Sequence, residues 1–216
     1  TLIEQHNGLF LHLLDDMISK VEIFGVYFAS LDVRQDSAVH VKLFDAIADS
    51  GGILPADYKN LSEENRIKAL ENISLTADIS SISNDLLKDT LQCTQTIKTI
   101  QQLNGEEGCN RYIISQCTSA ANVMEVFALF TLTGWKTADI SVDIVPLFET
   151  VDDLQHAASV MQTLYENKTY SKHLKKRGYT QTIMLGFSDG TKDGGYLMAN
   201  WAIYKAKQEL TGISKK

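Results

Sequence analysis

The hydrophobic positions along the chain form short apolar runs, and a helix-like spacing of apolar residues follows each run. Four of these runs have the length of a strand: residues 26–33, 111–115, 142–147 and 182–187. The helices predicted after them run to about residue 48, from 120 to 132, from 151 to about 165, and from about 192 to 210. Nearly continuous apolar strands that alternate with helices are typical of buried parallel sheets with right-handed crossovers. The pattern therefore predicts an α/β fold with four parallel strands.

Further helical patterns lie between and around these units. An amphipathic helix is predicted over 2–23, with Gly25 as its stop, and a long helix over 84–103. A short basic helix is expected over 171–176. The stretch 53–83 is more polar and holds one short helical pattern, so we interpret it as a helical and loop insertion.

Composition narrows the class of protein. The 216 residues are 44% hydrophobic and 22% charged, an ordinary globular composition, and the net charge is −7 with the basic residues dispersed. This charge distribution predicts neither a nucleic-acid-binding surface nor attachment to an anionic membrane. No apolar run approaches the ~20 residues that span a bilayer. Three cysteines without a CxxC pair predict neither a disulfide framework nor a zinc site, so we expect a cytoplasmic protein.

Polar side chains are predicted just past the strands, at the edge where parallel α/β folds bind their ligands. These side chains are Arg34, Gln116, Glu149, and Ser188 and Asp189 together with Lys192. An arginine, two carboxylates and a lysine at one rim suit an anionic, phosphorylated substrate held through a metal. His40 is the only histidine expected near this rim.

The segment Gly186–Gly195, GFSDGTKDGG, leaves a strand, turns on glycine and opens a helix. Backbone N–H groups and the helix dipole favour an anion at such a turn. The segment is not a Walker A loop, because its lysine is followed by aspartate and its glycine spacing differs. It is not an EF-hand, because position 12 counted from Asp189 is Asn200. The alternative is structural: Ser188 or Asp189 caps the helix, and the glycines only permit the turn.

Two further segments place charged groups at strand ends. The run VPLFETVDDL contains Glu149, and magnesium or manganese is commonly held by one or two carboxylates with phosphate oxygens and water. The run LDVRQDS contains Arg34, whose guanidinium can bind a phosphate through two hydrogen bonds. Each has a structural alternative. Thr150 with Asp153 resembles a helix-capping pair, and Arg34 could pair with an aspartate at the rim.

At these three segments the sequence resembles phosphoenolpyruvate carboxylase. The family's strand–turn–helix motif reads roughly GYSDSxKDAG, and this chain has GFSDGTKDGG. The family's VPLFETLxDL stands here as VPLFETVDDL, and its DIRQES-type segment as DVRQDS. The three segments occur in family order, and the resemblance spans about residues 24–210. Three motifs in order are far more specific than any one of them.

The resemblance implies a fold, a reaction and roles for the rim residues. The fold would be a helix-rich, partial (β/α)8 TIM-barrel-like segment. Glu149 and Asp189 would bind Mg²⁺ or Mn²⁺, Arg34 and Lys192 would be catalytic cations that also bind substrate, and Ser188 would be a further substrate-binding residue. The family reaction joins bicarbonate to phosphoenolpyruvate and gives oxaloacetate and phosphate. Since the family is tetrameric, a homo-oligomer is expected.

The chain also departs from the family pattern. Tyr196 stands where many members have arginine or another residue, Thr191 replaces a smaller residue, and Tyr112–Asn122 keeps only the outline of the family's YVISMAxxPSDVL. The family's TAHPTE-type motif, with its essential histidine, and its FHGRGG loop do not occur in these 216 residues. We therefore expect a divergent, central segment that supplies about half of a barrel. Such a segment would not turn over substrate alone and would self-associate through exposed strand edges.

Two other functions stay open at the level of sequence. Another metal-dependent barrel lyase or mutase that acts on phosphoenolpyruvate or pyruvate would share the metal and enolate chemistry. It would not be expected to carry these three motifs in order. The second alternative is a non-catalytic metal- and phosphate-binding or assembly module.

Overall fold

The computed structural model describes residues 2–214, in which four parallel strands form one sheet and helices connect them. The strands are β1 (Asp32–Asp36), β2 (Arg111–Ser115), β3 (Asp143–Phe148) and β4 (Met184–Leu185), and they lie in the sheet in chain order. The helices are α1 (Leu2–His6), α2 (Leu11–Phe24), α3 (Ser37–Ser50), α4 (Glu63–Glu71), α5 (Asp85–Asn104), α6 (Ala120–Leu132), α7 (Val151–Glu166), α8 (Lys168–Lys176) and α9 (Ser188–Ser214). The predicted α/β fold is confirmed, and this arrangement is that of a partial (β/α) barrel-like segment.

The register of the sheet sends alternate residues to two faces. Tyr112 and Ile114 of β2 lie in the main core, which the helices share. Arg34, Ile113 and Val145 are aligned across β1, β2 and β3, so they lie on the opposite face. That face holds a small separate apolar cluster: Ile113, Val145, Leu147 and Met184. Because a barrel carries its helices outside, this second face corresponds to the barrel interior.

The unit formed by β2 and α6 has the boundaries that the sequence predicts. Twelve of the 13 residues of α6 are buried, which explains its nearly continuous apolar sequence. The helix begins after Ser119, whose hydroxyl accepts a hydrogen bond from the backbone N–H of Asn122. It ends before Gly134, which has a φ of +83°.

The strand predicted over 26–33 is wrong for residues 26–31. The observed β1 starts at Asp32, opposite the first residue of β2. Before that point the chain turns: Phe28 has a φ of +64°, and its ring stacks on Phe24 with the centroids 5.3 Å apart. Val26 and Phe28 are exposed. Strand propensity alone did not suffice here, because within residues 2–214 the neighbouring strand β2 begins only at Arg111, opposite Asp32.

The single helix predicted over 2–23 is two helices. Asn7, Gly8 and Phe10 all have positive φ values, of 52°, 72° and 61°, and they separate α1 from α2. An Asn-Gly pair favours such a turn because both residues tolerate the left-handed conformation. None of the residues of α2 is buried, so its apolar stripe did not predict core packing within the described chain.

The last strand and helix also differ from the prediction. The strand expected over 182–187 forms only Met184–Leu185, which pair with Leu147 and Phe148. Just before it, the Gln181 side chain donates to the Ile144 carbonyl at 2.9 Å, so a side chain takes a β3 acceptor that a longer strand could use. The single helix predicted from about residue 192 is two helical segments, labelled together as α9, that begin at Ser188 and meet at a kink at Gly195, where a φ of +77° and a ψ of 167° are non-helical.

The stretch 53–83 packs on the rest of the chain. Tyr58, Ile67 and Leu70 are buried in the main core, and the short helix predicted there is α4. Whether this stretch is an insertion stays a prediction. No helix within residues 2–214 is long and apolar enough to cross a membrane.

Candidate active site

Glu149 is the first residue after β3, and both of its carboxylate oxygens are held. Oε1 accepts a hydrogen bond from Arg34 Nη2 at 2.9 Å, and Oε2 accepts one from the backbone N–H of Gln116 at 2.7 Å. The Glu149 residue is 7% exposed. A carboxylate this buried needs such partners, since an unpaired buried charge is strongly unfavourable.

The sequence had predicted Arg34 just past the end of the first strand. The structure instead places it inside β1. Its side chain still reaches the rim. It extends past β2 and contacts Glu149, which follows β3. The Arg34 side chain is 53% exposed. Part of the guanidinium therefore faces solvent, where its remaining N–H donors can bind an anion. The partner of Arg34 is this glutamate and not the aspartate considered as the structural alternative.

Asp189 and Lys192 lie in the first turns of α9 and contact each other. Lys192 Nζ donates to Asp189 Oδ1 at 2.9 Å, with the two side chains 78% and 52% exposed. An exposed pair of this kind contributes about 0–1 kcal/mol, so other partners can compete for both groups. Ser188, the first residue of α9, is also exposed.

Two glycines, one in the β4–α9 turn and one in the first turn of α9, bring this segment against Glu149. A Cβ on Gly186 would lie 2.9 Å from the Glu149 Cα, and a Cβ on Gly190 would lie 3.3 Å from the Glu149 carbonyl oxygen. Farther along the chain, in α9, the Asp193 carboxylate accepts a hydrogen bond from the backbone N–H of Val151 at 3.2 Å. The glycines of the motif therefore permit close approach of two segments, in addition to permitting a turn.

The start of α7 contains the capping pair that the sequence suggested. The Thr150 hydroxyl accepts from the backbone N–H of Asp153, and Asp153 Oδ2 accepts from the backbone N–H of Thr150 at 2.9 Å. The same Oδ2 lies 3.3 Å from the backbone nitrogen of Glu149, which donates to it. Thr150 and Asp153 therefore cap α7. The Glu149 side chain takes no part in capping and contacts Arg34 and Gln116 at the rim instead.

Comparison with known proteins identifies the family to which this chain belongs. The family model of phosphoenolpyruvate carboxylase matches residues 1–216. The chain belongs to the phosphoenolpyruvate carboxylase family. A phosphoenolpyruvate carboxylase of Thermosynechococcus vestitus is 35% identical over 98% of this chain, and that of Mycobacterium leprae is 36% identical over 91%. A Synechococcus phosphoenolpyruvate carboxylase is 34% identical over 98% of this chain.

The matched relatives are much longer than this chain. The alignments cover 22% of the Thermosynechococcus protein, 22% of the Mycobacterium protein and 21% of the Synechococcus protein. The chain therefore spans about a fifth of the length of the phosphoenolpyruvate carboxylases that it matches.

Glu149 supplies one carboxylate of the kind that binds divalent cations, and its geometry is compatible with the cation that the resemblance implies. Within residues 2–214, no three His, Cys, Asp or Glu side chains come close enough together to hold a metal ion by themselves. Mg²⁺ and Mn²⁺ do not require such a cage, because one or two carboxylates suffice when phosphate oxygens and water complete the shell. Each Glu149 oxygen accepts one of the two described hydrogen bonds, and a carboxylate oxygen offers a second lone pair.

His40 lies in the core and not at the rim. Its Nε2 is 2.9 Å from the Tyr112 hydroxyl, and the residue is fully buried. Burial lowers the pKa of the His40 imidazole to about 4, against a smaller opposing effect of Asp36. The ring is therefore neutral at physiological pH, and it supplies no charge to the site.

Sequence reasoning missed the backbone contact that holds Glu149. Gln116 was expected at the rim because its side chain is polar, yet that side chain is exposed and the contact comes from its N–H group. Gln116 has a φ of +52°, and the Ser37 hydroxyl donates to its carbonyl at 2.7 Å. Glutamine carries no sequence signal for the left-handed conformation, which glycine or asparagine would have given.

Proposed function

We propose that this chain supplies part of the active site of a phosphoenolpyruvate carboxylase, which forms oxaloacetate and phosphate from phosphoenolpyruvate and bicarbonate. The observation that carries the proposal is the contact between Arg34 and Glu149, since it joins two of the three family motifs at one rim. The third motif lies against Glu149 through Gly186 and Gly190. Family membership favours this reaction over that of another barrel lyase or mutase.

Glu149 and Asp189 would hold Mg²⁺ or Mn²⁺ beside the substrate. A bound divalent ion would stabilise negative charge on the enolate oxygen of pyruvate. Glu149 suits this role because its carboxylate is already oriented by Arg34 and Gln116. Asp189 suits it because its partner Lys192 is an exposed cation that can move to the substrate.

Arg34, Lys192 and Ser188 would bind the phosphate group of phosphoenolpyruvate. The guanidinium can donate two hydrogen bonds to phosphate oxygens, and the ammonium adds a second positive charge. Phosphoryl transfer depends mainly on positioning and on fixed positive charge around the moving group. The two cations would therefore stabilise the phosphoryl group as it passes from phosphoenolpyruvate to bicarbonate.

Binding of Mn²⁺ by this chain, with and without phosphoenolpyruvate, tests the proposal. Glu149→Ala and Asp189→Ala should each weaken Mn²⁺ binding more than about tenfold, because even residues that only support a ligand cost about 10–100-fold. Glu64→Ala is a matched control, since Glu64 forms an exposed helical pair with Lys68, as Asp189 does with Lys192. Binding that survives both site substitutions would contradict the assignment.

We further propose that this chain alone does not turn over phosphoenolpyruvate. The supporting facts are its length, about a fifth of that of its relatives, and the lack within it of the family's TAHPTE-type and FHGRGG segments. A coupled assay for oxaloacetate would test this. Turnover by the purified chain would overturn the proposal of inactivity and leave the assignment of the metal site untouched.

We also infer that the chain forms homo-oligomers. β1 is an outer strand of the described sheet, and α2 carries apolar side chains without any buried residue. Free strand edges and exposed apolar stripes favour association. Light scattering coupled to size-exclusion chromatography should give a mass above the monomer's 24.0 kDa, and a concentration-independent monomer would contradict the inference.

A further inference from the structure

Gln116 adopts a backbone conformation that its side chain does not favour. It follows β2 directly and has a φ of +52°, in the left-handed region that favours glycine. A non-glycine residue stays in this region only where its surroundings enforce it. Such enforcement is visible on both sides of the residue. Ile114 pairs with Pro146 in the ladder, and the Cys117 N–H donates to the Leu147 carbonyl at 3.1 Å.

The turn at Gln116 lets the N–H and the C=O of this residue, which belong to two adjacent peptide groups, bond to side chains. Its N–H donates to Glu149 Oε2 at 2.7 Å. Its carbonyl accepts from the Ser37 hydroxyl at 2.7 Å, and Ser37 is the buried first residue of α3. Two hydrogen bonds therefore hold the Gln116 backbone, one from α3 to its carbonyl and one from its N–H to the carboxylate.

We propose that Ser37 and the backbone of Gln116 are positioning residues that fix the Glu149 carboxylate for its ligand. This rests on the proposed function, in which Glu149 binds the metal. Residues that orient a ligating carboxylate commonly change metal affinity by about 10–100-fold when they are replaced. The Gln116 side chain is exposed, and both hydrogen bonds use the backbone, so the proposed requirement at this position is conformational.

Two pairs of substitutions separate the positioning of Glu149 from a direct role of the Gln116 side chain and from a general loss of stability. Gln116→Gly keeps the N–H and permits a positive φ, whereas Gln116→Val keeps the N–H but disfavours that φ. Ser37→Ala removes the hydroxyl, and Ser37→Thr retains one. Ser50→Ala is the matched control, because it removes a hydroxyl-to-carbonyl hydrogen bond of 2.8 Å at the other end of the same helix.

Mn²⁺ affinity is the first measurement. We expect Gln116→Val to bind at least about tenfold more weakly than Gln116→Gly, and Ser37→Ala to bind at least about tenfold more weakly than both Ser37→Thr and Ser50→Ala. Thermal unfolding of each variant shows whether a loss reflects unfolding. Equal affinities for the valine and glycine variants would overturn the proposal. If both Gln116 variants lost Mn²⁺ affinity severely and to the same extent, the Gln116 side chain itself would be needed, and this result would also overturn the proposal.

The amide proton of Gln116, observed by NMR without metal, is the second measurement. In the wild type it should resonate at low field and exchange slowly, since it donates to a carboxylate. Ser37→Ala should move it upfield and speed its exchange, as Glu149→Ala should. If the chain binds no Mn²⁺, the proposed function fails, and this resonance still decides the positioning role. An unchanged resonance in Ser37→Ala would overturn it.

Discussion

Arg34 and Glu149 are 115 residues apart in the sequence, and a 2.9 Å hydrogen bond between Nη2 and Oε1 joins their side chains. The two side chains differ in exposure: 9% for the glutamate and 53% for the arginine. The carboxylate is therefore the desolvated partner, and it depends on the arginine for charge balance. The arginine keeps a solvent-facing side with which to bind a second anion.

The first prediction concerns this pair. Arg34→Ala should lower the free energy of unfolding by about 1–3 kcal/mol, because it leaves a nearly buried carboxylate short of a charged donor. It should also weaken binding of phosphoenolpyruvate. Arg34→Lys keeps the charge but loses the planar fork, so it should recover part of the stability and less of the binding.

Urea unfolding and equilibrium binding of phosphoenolpyruvate measure these two effects. Arg111→Ala is the control, since Arg111 pairs with Asp32 at 3.6 Å with both side chains more than 40% exposed. That substitution should change stability by less than about 1 kcal/mol. The account would fail if Arg34→Ala were as harmless as the control.

The second prediction concerns the close approach at Gly186. Its added Cβ would lie 2.9 Å from a backbone atom of Glu149, so Gly186→Ala should force the turn away from β3. We expect a destabilisation of about 1–3 kcal/mol, together with weaker Mn²⁺ binding. Gly212→Ala in α9 is the control, because open space surrounds that position and alanine favours a helix. Equal behaviour of the two variants in thermal unfolding would contradict the proposed contact.

Particular residues show how far the sequence alone could lead. α6 was predicted to the residue, because 12 of its 13 positions are buried and Ser119 marks its start. Residues 26–31 were misassigned, because strand formation there depends on where β2 begins, and the local sequence does not record that. Arg34 and Glu149 were singled out because charged groups stand out beside apolar strand patterns, and the two side chains do contact each other. Their functional roles stay predictions.

The contact of Gln116 with Glu149 was not readable, because a backbone N–H is present at nearly every residue. Its direction depends on a positive φ that tertiary contacts impose, and glutamine gives no sign of it. The same limit applies to His40, which is close in sequence to the rim. Helix α3 turns it inward to the Tyr112 hydroxyl instead.

The third prediction concerns Glu125, a fully buried carboxylate on α6. Oε1 accepts from the Tyr58 hydroxyl at 3.2 Å, and Oε2 lies 3.4 Å from Asn122 Nδ2. Burial raises the pKa of Glu125 to about 7, against weaker opposing effects of Asn122, Tyr58 and Arg66. Because the folded pKa lies above the unfolded value of 4.5, the folded state binds more protons between these values.

Stability should therefore fall as pH rises from about 4.5 to about 7, and the loss should be complete above 7. At about 1.4 kcal/mol for each pH unit, the effect reaches about 3 kcal/mol. Glu125→Gln should remove this slope, and Glu166→Gln, an exposed substitution on α7, should keep it. Urea unfolding at pH 5 and pH 8 measures the difference. The same slope in Glu125→Gln would show that another group is responsible.

The last prediction concerns the start of α7, where helix capping and the position of Glu149 are linked. Asp153 accepts from the backbone N–H groups of both Thr150 and Glu149. Asp153→Ala should cost about 0.5–2 kcal/mol as a lost cap, and it should also speed hydrogen exchange at the Glu149 amide. Ser119→Ala, which removes the cap of α6, should cost a similar free energy of unfolding and leave that amide protected.

The two variants together separate helix stability from local order at the rim. If capping were the whole role of Asp153, both variants would leave Mn²⁺ binding alike. A weaker Mn²⁺ affinity in Asp153→Ala alone is expected, because Glu149 loses a backbone anchor while its side-chain partners remain. Asp153→Asn retains an acceptor oxygen and should lie between alanine and wild type. Unchanged exchange at Glu149 in Asp153→Ala would show that the hydrogen bond to Asp153 does not hold the Glu149 backbone in place.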